Sequence, residues 1–107
     1  MCGVCASLTH SSEKAITLMR RRGTITNHSG SVWHRRLPIV GLGDAGVQPV
    51  VSGKWTIAFV GEVLDFREGN PKLASDVPVV VDAFMKGSML RDRDGFWSVV
   101  AIDEEKG

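Results

Sequence analysis

Short apolar runs alternate along this chain with polar stretches rich in Gly, Ser, Asp and Asn, and the spacing of the apolar positions differs from run to run. Cys2 to Leu8 is brief, mostly apolar and bounded by polar residues, the mark of a buried strand. Thr9-His10-Ser11-Ser12-Glu13 has the make-up of a helix start, with small hydroxyl side chains to accept from free N–H groups and Glu13 in the first turn. Ala15, Ile16, Leu18 and Met19 then supply one apolar face. Arg20-Arg21-Arg22 puts positive charge where a helix C-terminus favours it, and Gly23 stops the helix. Thr24 to Gly30 reads as a polar loop. Val32 to Val40 reads as extended, with Pro38 marking an edge or a bend.

The second half repeats the alternation. Gly41 to Gly46 is a flexible connection, and Lys54 to Val60, rich in aromatic and β-branched residues, predicts a strand. Gly61 is expected to interrupt it where another backbone comes close. Arg67 to Ser75 is rich in turn formers. From Asp76 on, Val79, Val80, Ala83 and Phe84 recur at helical spacing, with Asp76 as N-cap, Pro78 in the first turn and Gly87 as the stop. Phe96 to Ile102 predicts a third strand, and Asp103 to Gly107 reads as a hairpin turn. At 107 residues the chain suffices for one small domain with a modest core.

Composition narrows the choice. Hydrophobic residues make up 43% and charged residues 23%, the proportions of a folded globular chain. Thirteen Lys and Arg against twelve Asp and Glu leave a formal net charge of +1, so no basic field points to nucleic acid, and no apolar run is long enough to span a membrane. No secretory leader is legible, and two cysteines three positions apart are no disulfide framework, so a reducing cytoplasmic setting is expected. The Arg20–Arg22 run is expected to be a solvated helix end.

The chemistry concentrates at the start. Removal of Met1 would leave Cys2 with a thiol and a free α-amine on one residue, a nucleophile and its own base. An α-amine titrates at about 7.7–8.0, so much of it can accept a proton near neutrality. Cys2-Gly3-Val4-Cys5 could alternatively be a redox pair or half a zinc site. The redox motif wants a preceding strand, and zinc would need His10, His28 or His34 to converge on the cysteines. Cys5 fits a core position, as do Trp33, Trp55 and Trp97. No phosphate-binding loop is present, because Gly41 to Gly46 lacks the Lys-Ser/Thr ending.

Landmarks downstream give the N-terminus its force. Met1-Cys2-Gly3 is followed by Arg22-Gly23, then His34-Arg35-Arg36-Leu37-Pro38-Ile39-Val40, then Gln48-Pro49. Phe59-Val60-Gly61-Glu62-Val63, Ser75-Asp76, Asp94-Gly95-Phe96-Trp97 and Ile102-Asp103 complete the series. In this order they resemble the glutaminase domain of class II glutamine amidotransferases, closest to the asparagine synthetase branch, over nearly the whole chain.

The resemblance implies an α+β fold of the N-terminal-nucleophile hydrolase type, an αββα sandwich. It also implies glutamine hydrolysis through a thioester on Cys2, with ammonia passed to a partner synthetase and no cofactor of the domain's own. Arg36 would hold the α-carboxylate of glutamine, for which a guanidinium fork is suited. Asp76 would hold the α-ammonium with backbone groups of Glu62 beside it. Leu37, Ile39 and Val40 would line the pocket, and the Gly61 N–H would donate to the oxyanion. Two departures stand out. The family has Asn before that glycine and this chain has Val60, which carries no donor; losing one such donor typically costs about 10²–10³ in turnover. The family's domain is also about twice this length, so an incomplete second sheet is expected. The alternative is a scaffold with a decayed site, kept for interaction with another protein or for oligomeric assembly.

Overall fold

The computed structural model describes residues 2–19, 25–36, 46–88 and 90–106. Within them the chain is α+β, with two three-stranded antiparallel sheets and two helices. The predicted helix end at Arg20–Gly23, the pocket segment Leu37–Val40 and most of the connection Gly41–Gly46 lie outside the described residues.

Sheet A has the order β1-β3-β2, built from β1 (Gly3–Ala6), β2 (Ile25–Ser29) and β3 (Val32–Arg36). β2 corrects the expectation of a polar loop over Thr24 to Gly30. Its residues are polar because it is an edge strand turned largely to water, and its ladder to β3 runs from Ile25↔Arg36 to Ser29↔Val32. Gly30 adopts φ +51°, which lets the hairpin turn in two residues, and His28 stacks on Trp33 across the ladder with ring centroids 4.1 Å apart. On β3 the side chains alternate strictly, Val32, His34 and Arg36 buried and Trp33 and Arg35 half-exposed.

Helix α1 (Glu13–Leu18) lies against β1 and β3. Ser11 accepts from the Glu13 N–H at 3.2 Å, which bears out the hydroxyl-rich helix start. The expected apolar face is narrower than the sequence suggests. Ile16 is its buried residue, whereas Ala15 is exposed and Leu18 is 69% exposed, because a helix of six residues presents a single turn to the sheet. Met19, the C-cap, meets Cys5 with its sulfur 3.9 Å from the thiol.

Sheet B has the order β4-β5-β6, from β4 (Val50–Ser52), β5 (Trp55–Val63) and β6 (Gly95–Asp103). The apolar periodicity does not predict β4, which is only three residues long and joined to β5 by a tight turn with Gly53 at φ +59°. β5 runs straight through Gly61 where an interruption is expected. The close approach itself is real. Gly61 has φ +129°, and a Cβ there would lie inside contact distance of the Phe96 carbonyl and 2.6 Å from the Trp97 Cα.

Helix α2 (Val77–Lys86) closes on Gly87, whose φ of +73° is the left-handed C-cap. Phe59 and Val63 from one face of β5 pack with Val77, Val80, Ala83 and Leu90 into the main apolar cluster, and Trp55 meets Phe84 edge-on. Thr56 and Ala58, on the opposite face of β5, are also buried, and it is β5 that β1 and β3 touch. A polar clasp joins the sheets at one end: Glu104 accepts from the Ser31 N–H at 2.8 Å and from its hydroxyl at 3.1 Å. Among the described residues no helix is long and apolar enough to cross a membrane.

Candidate functional site

Strand periodicity separates the two cysteines. Residues three apart on a strand point to opposite faces, so Cys5 turns toward α1 while Cys2 stands on the side of Val4 and His34. Burial pushes the Cys5 thiol pKa up, which suits a packing residue and not a nucleophile. Both cysteines are free thiols, and among the described residues no group of three His, Cys, Asp or Glu side chains is placed to hold a metal ion.

Cys2 and Arg36 lie one residue beyond the last β1–β3 pair, Gly3↔Arg35, which makes them cross-strand neighbours at one end of sheet A. Cys2 is half-buried and Arg36 buried. Two residues before Arg36, His34 is fully buried, and neither ring nitrogen has a hydrogen-bond partner in good geometry. Burial drives its pKa down to about 4, the Arg36 charge pushes the same way, and the nearby Phe59 backbone opposes them. His34 is therefore a neutral imidazole at physiological pH, set between sheet A and β5. The sequence places His34 at the head of the His34–Val40 landmark and among the histidines that a zinc site would need; nothing local between Trp33 and Arg35 marks it as fully buried.

The other predicted residues gather on β5 and at the start of α2. Leu64 donates to the Asp94 carbonyl at 2.8 Å and Glu104 to the Lys54 carbonyl at 3.0 Å, so even-numbered residues of β5 exchange hydrogen bonds with β6. Odd-numbered residues face the other way, and β4 pairs with β5 only as far as Val50↔Ile57. Beyond that point side chains take over the edge. Buried Gln48 accepts from the Phe59 N–H at 2.7 Å, and Asp76 accepts from the Val63 N–H at 3.0 Å. Gly61 sits midway between these two capped amides, and the period of two turns its backbone to the same edge. Glu62 follows the even set. Its backbone N–H and C=O lie in the ladder toward Phe96 and not at that edge.

Asp76 does not cap α2 with its carboxylate, as the sequence suggests. It occupies the N-cap position, but its side chain reaches across to Val63, and the Ser75 hydroxyl accepts from the Val77 N–H at 3.1 Å instead. Burial raises the Asp76 pKa, partly offset by the hydrogen bonds it accepts. Sequence reasoning missed Gln48 as an edge cap; its place before Pro49 marked the position but not this role.

The predicted residues thus fall into two groups, Cys2 with Arg36 on sheet A and Gly61 with Glu62 and Asp76 on sheet B, on strands that pack against each other. Leu37, Ile39 and Val40 lie outside the described residues. Neither the models of known protein families nor the curated protein sequences give a match to this chain.

Proposed function

We propose that this chain is a class II glutamine amidotransferase-like domain that hydrolyses glutamine to glutamate and ammonia on Cys2. The observation that carries the reading is the β5 edge beyond β4, where Gly61 stands between amides capped by Gln48 and Asp76, on the strand against which the Cys2-bearing β1 packs. The contacts of α1 with β1 and β3, of α2 with β5, and of β5 with β1 and β3 support an αββα layering.

In this reading the α-amine of Cys2, uncovered by removal of Met1, takes the thiol proton. The thiolate attacks the side-chain amide carbon of glutamine, and the Gly61 N–H receives the oxyanion. Collapse expels ammonia, which takes up the proton, and leaves a thioester that water hydrolyses to glutamate. Arg36 holds the α-carboxylate and Asp76 the α-ammonium, with Glu62 beside it and the segment of Leu37, Ile39 and Val40 along the wall. The ammonia passes to a synthetase domain or protein. No cofactor enters the half-reaction, and a cytoplasmic setting suits its free thiol.

Val60 favours a second reading, a scaffold in which the site has decayed and assembly is what remains. Mass spectrometry with a glutamine-analogue electrophile, 6-diazo-5-oxo-norleucine, separates the two. One adduct mapped to Cys2 of the Met-free chain supports the glutaminase. A folded, Met-free chain that stays unlabelled is the scaffold.

A further inference from the structure

His34 is a buried polar group that the reaction steps above leave without a role, and the fold sets it in the seam between the two sheets. Its ring is fully buried, and among the described residues neither ring nitrogen has a hydrogen-bond partner in good geometry. Such a group costs stability that an apolar side chain in the same slot would not, because its nitrogens give up water and receive nothing in return. Other polar side chains of the interior are put to use: buried Gln48 caps the Phe59 amide and buried Ser75 the Val77 amide.

Three placements aim the His34 ring at the reacting end. Val4 pairs with His34 and Gly3 with Arg35, so Cys2 is the diagonal neighbour of His34 on the same face of sheet A. Diagonal neighbours of this kind lie about 7–8 Å apart, within reach of an aromatic side chain. Across the seam the ring comes near the Phe59 backbone. Phe59 and Gly61 turn their backbone groups to the same edge of β5, so the Phe59 carbonyl and the Gly61 N–H are successive groups along it. The side chain between them, Val60, shares the face of Thr56 and Ala58 that meets sheet A, and it has no donor to offer. With a pKa of about 4 the imidazole is neutral at physiological pH and carries one N–H. A neutral imidazole is an effective electrophile toward a substrate carbonyl.

We propose that His34 is a catalytic residue of the glutamine half-reaction, donating its ring N–H to the oxyanion on Cys2 from the side of sheet A while the Gly61 N–H donates from β5. The inference rests on the glutaminase reading. In the free chain the ring lies by a neutral carbonyl that it does not bond well. The tetrahedral adduct, tethered to Cys2 and held at Gly61, presents a charged oxygen beside that carbonyl, and a charged oxygen is the stronger acceptor. Burial keeps water from competing for the bond. The bond is made as the charge develops, so it favours the transition state over bound glutamine. His34 moves no proton: it keeps its N–H throughout, and the thiol proton stays on the α-amine until ammonia leaves.

Release of ammonia from glutamine by the Met-free chain, compared with alkylation of Cys2 by iodoacetamide, tests the role. Alkylation displaces iodide and builds no oxyanion, so it reads the thiol and its access alone. His34→Leu should lower kcat by about 10²–10³, with KM for glutamine and the alkylation rate unchanged. His34→Gln, which carries an amide N–H to about the reach of the far ring nitrogen, should recover much of the loss. Val60→Asn, a donor from β5, should also raise turnover in the His34→Leu chain. A His34→Leu chain with the kcat of wild type overturns the proposal and leaves the glutaminase standing. A loss that appears equally in the alkylation rate, or that His34→Gln does not relieve, overturns it too, since either marks a structural role. Wild-type protein that neither releases ammonia nor takes the 6-diazo-5-oxo-norleucine label on Cys2 removes the glutaminase reading and this inference together.

Discussion

Buried and without a well-formed hydrogen bond at either ring nitrogen, His34 should make this fold acid-sensitive well above the carboxylate range. In the unfolded chain its imidazole titrates near 6.5, and in the folded chain near 4. As pH falls through that interval the unfolded state takes up the proton first. Stability is therefore lost with falling pH between 6.5 and 4 and is fully present above 6.5. At about 1.4 kcal/mol per pH unit, the whole interval is worth roughly 3 kcal/mol, a large share of the roughly 5–15 kcal/mol that holds a small domain together. Substituting His34→Leu removes both the titration and the two orphaned nitrogens. At pH 7 the variant should be as stable as wild type or more so, because an unsatisfied buried polar group costs about 1–3 kcal/mol. The decisive quantity is the difference between the two proteins in urea denaturation at pH 7 and pH 5. It should move in favour of the variant by about 2 kcal/mol over that range, while the exposed His10 and His28, common to both, cancel. A difference that stays constant from pH 7 to 5 would refute the reasoning, as would a folded-state His34 titration near 6.5 by NMR.

Other perturbations probe the site and its frame. Gly61→Ala needs a side chain at φ +129° against the Phe96 carbonyl and should destabilise by more than about 3 kcal/mol, read as a fall in the urea midpoint. Asp76→Asn should keep the Val63 hydrogen bond and the fold while abolishing glutamine turnover; retained turnover would remove Asp76 from the substrate site. Val60→Asn would return the second oxyanion donor, with an expected rise of about 10²–10³ in the rate of ammonia release. Glu104→Ala should cost about 1–2 kcal/mol through the lost Ser31 contacts, without changing labelling of Cys2.

The layout of this fold was legible wherever burial wrote a period into the chain. β5, β6 and α2 follow from their apolar spacing, and Gly87 and Pro78 mark the ends of the helix where the backbone requires them. β2 was not legible, because a strand at a wet edge is held by its ladder to β3 and needs few apolar side chains; Ser29-Gly30-Ser31 was the available turn signal. β4 was too short for any period to register. In the candidate site, Cys2, Arg36, Gly61 and Asp76 were singled out by the resemblance of their motifs and not by local pattern. The partners of Asp76 and the burial of His34 depend on which strands face each other, and that is a tertiary fact absent from local pattern.

The clasp between Glu104 and Ser31 bears on the order of events during synthesis. The β2–β3 hairpin turn is made early and can fold as soon as it emerges, since its partner strands are neighbours in the chain. Its anchor on the other sheet is translated some seventy residues later. Until Glu104 has left the ribosome, sheet A can form but cannot be fastened at this end to sheet B. Nor does β5, with its buried face, yet have β6 beside it. The emerging chain therefore holds two unfastened sheets, with one side of β5 unpaired, until β6 and Glu104 have been made.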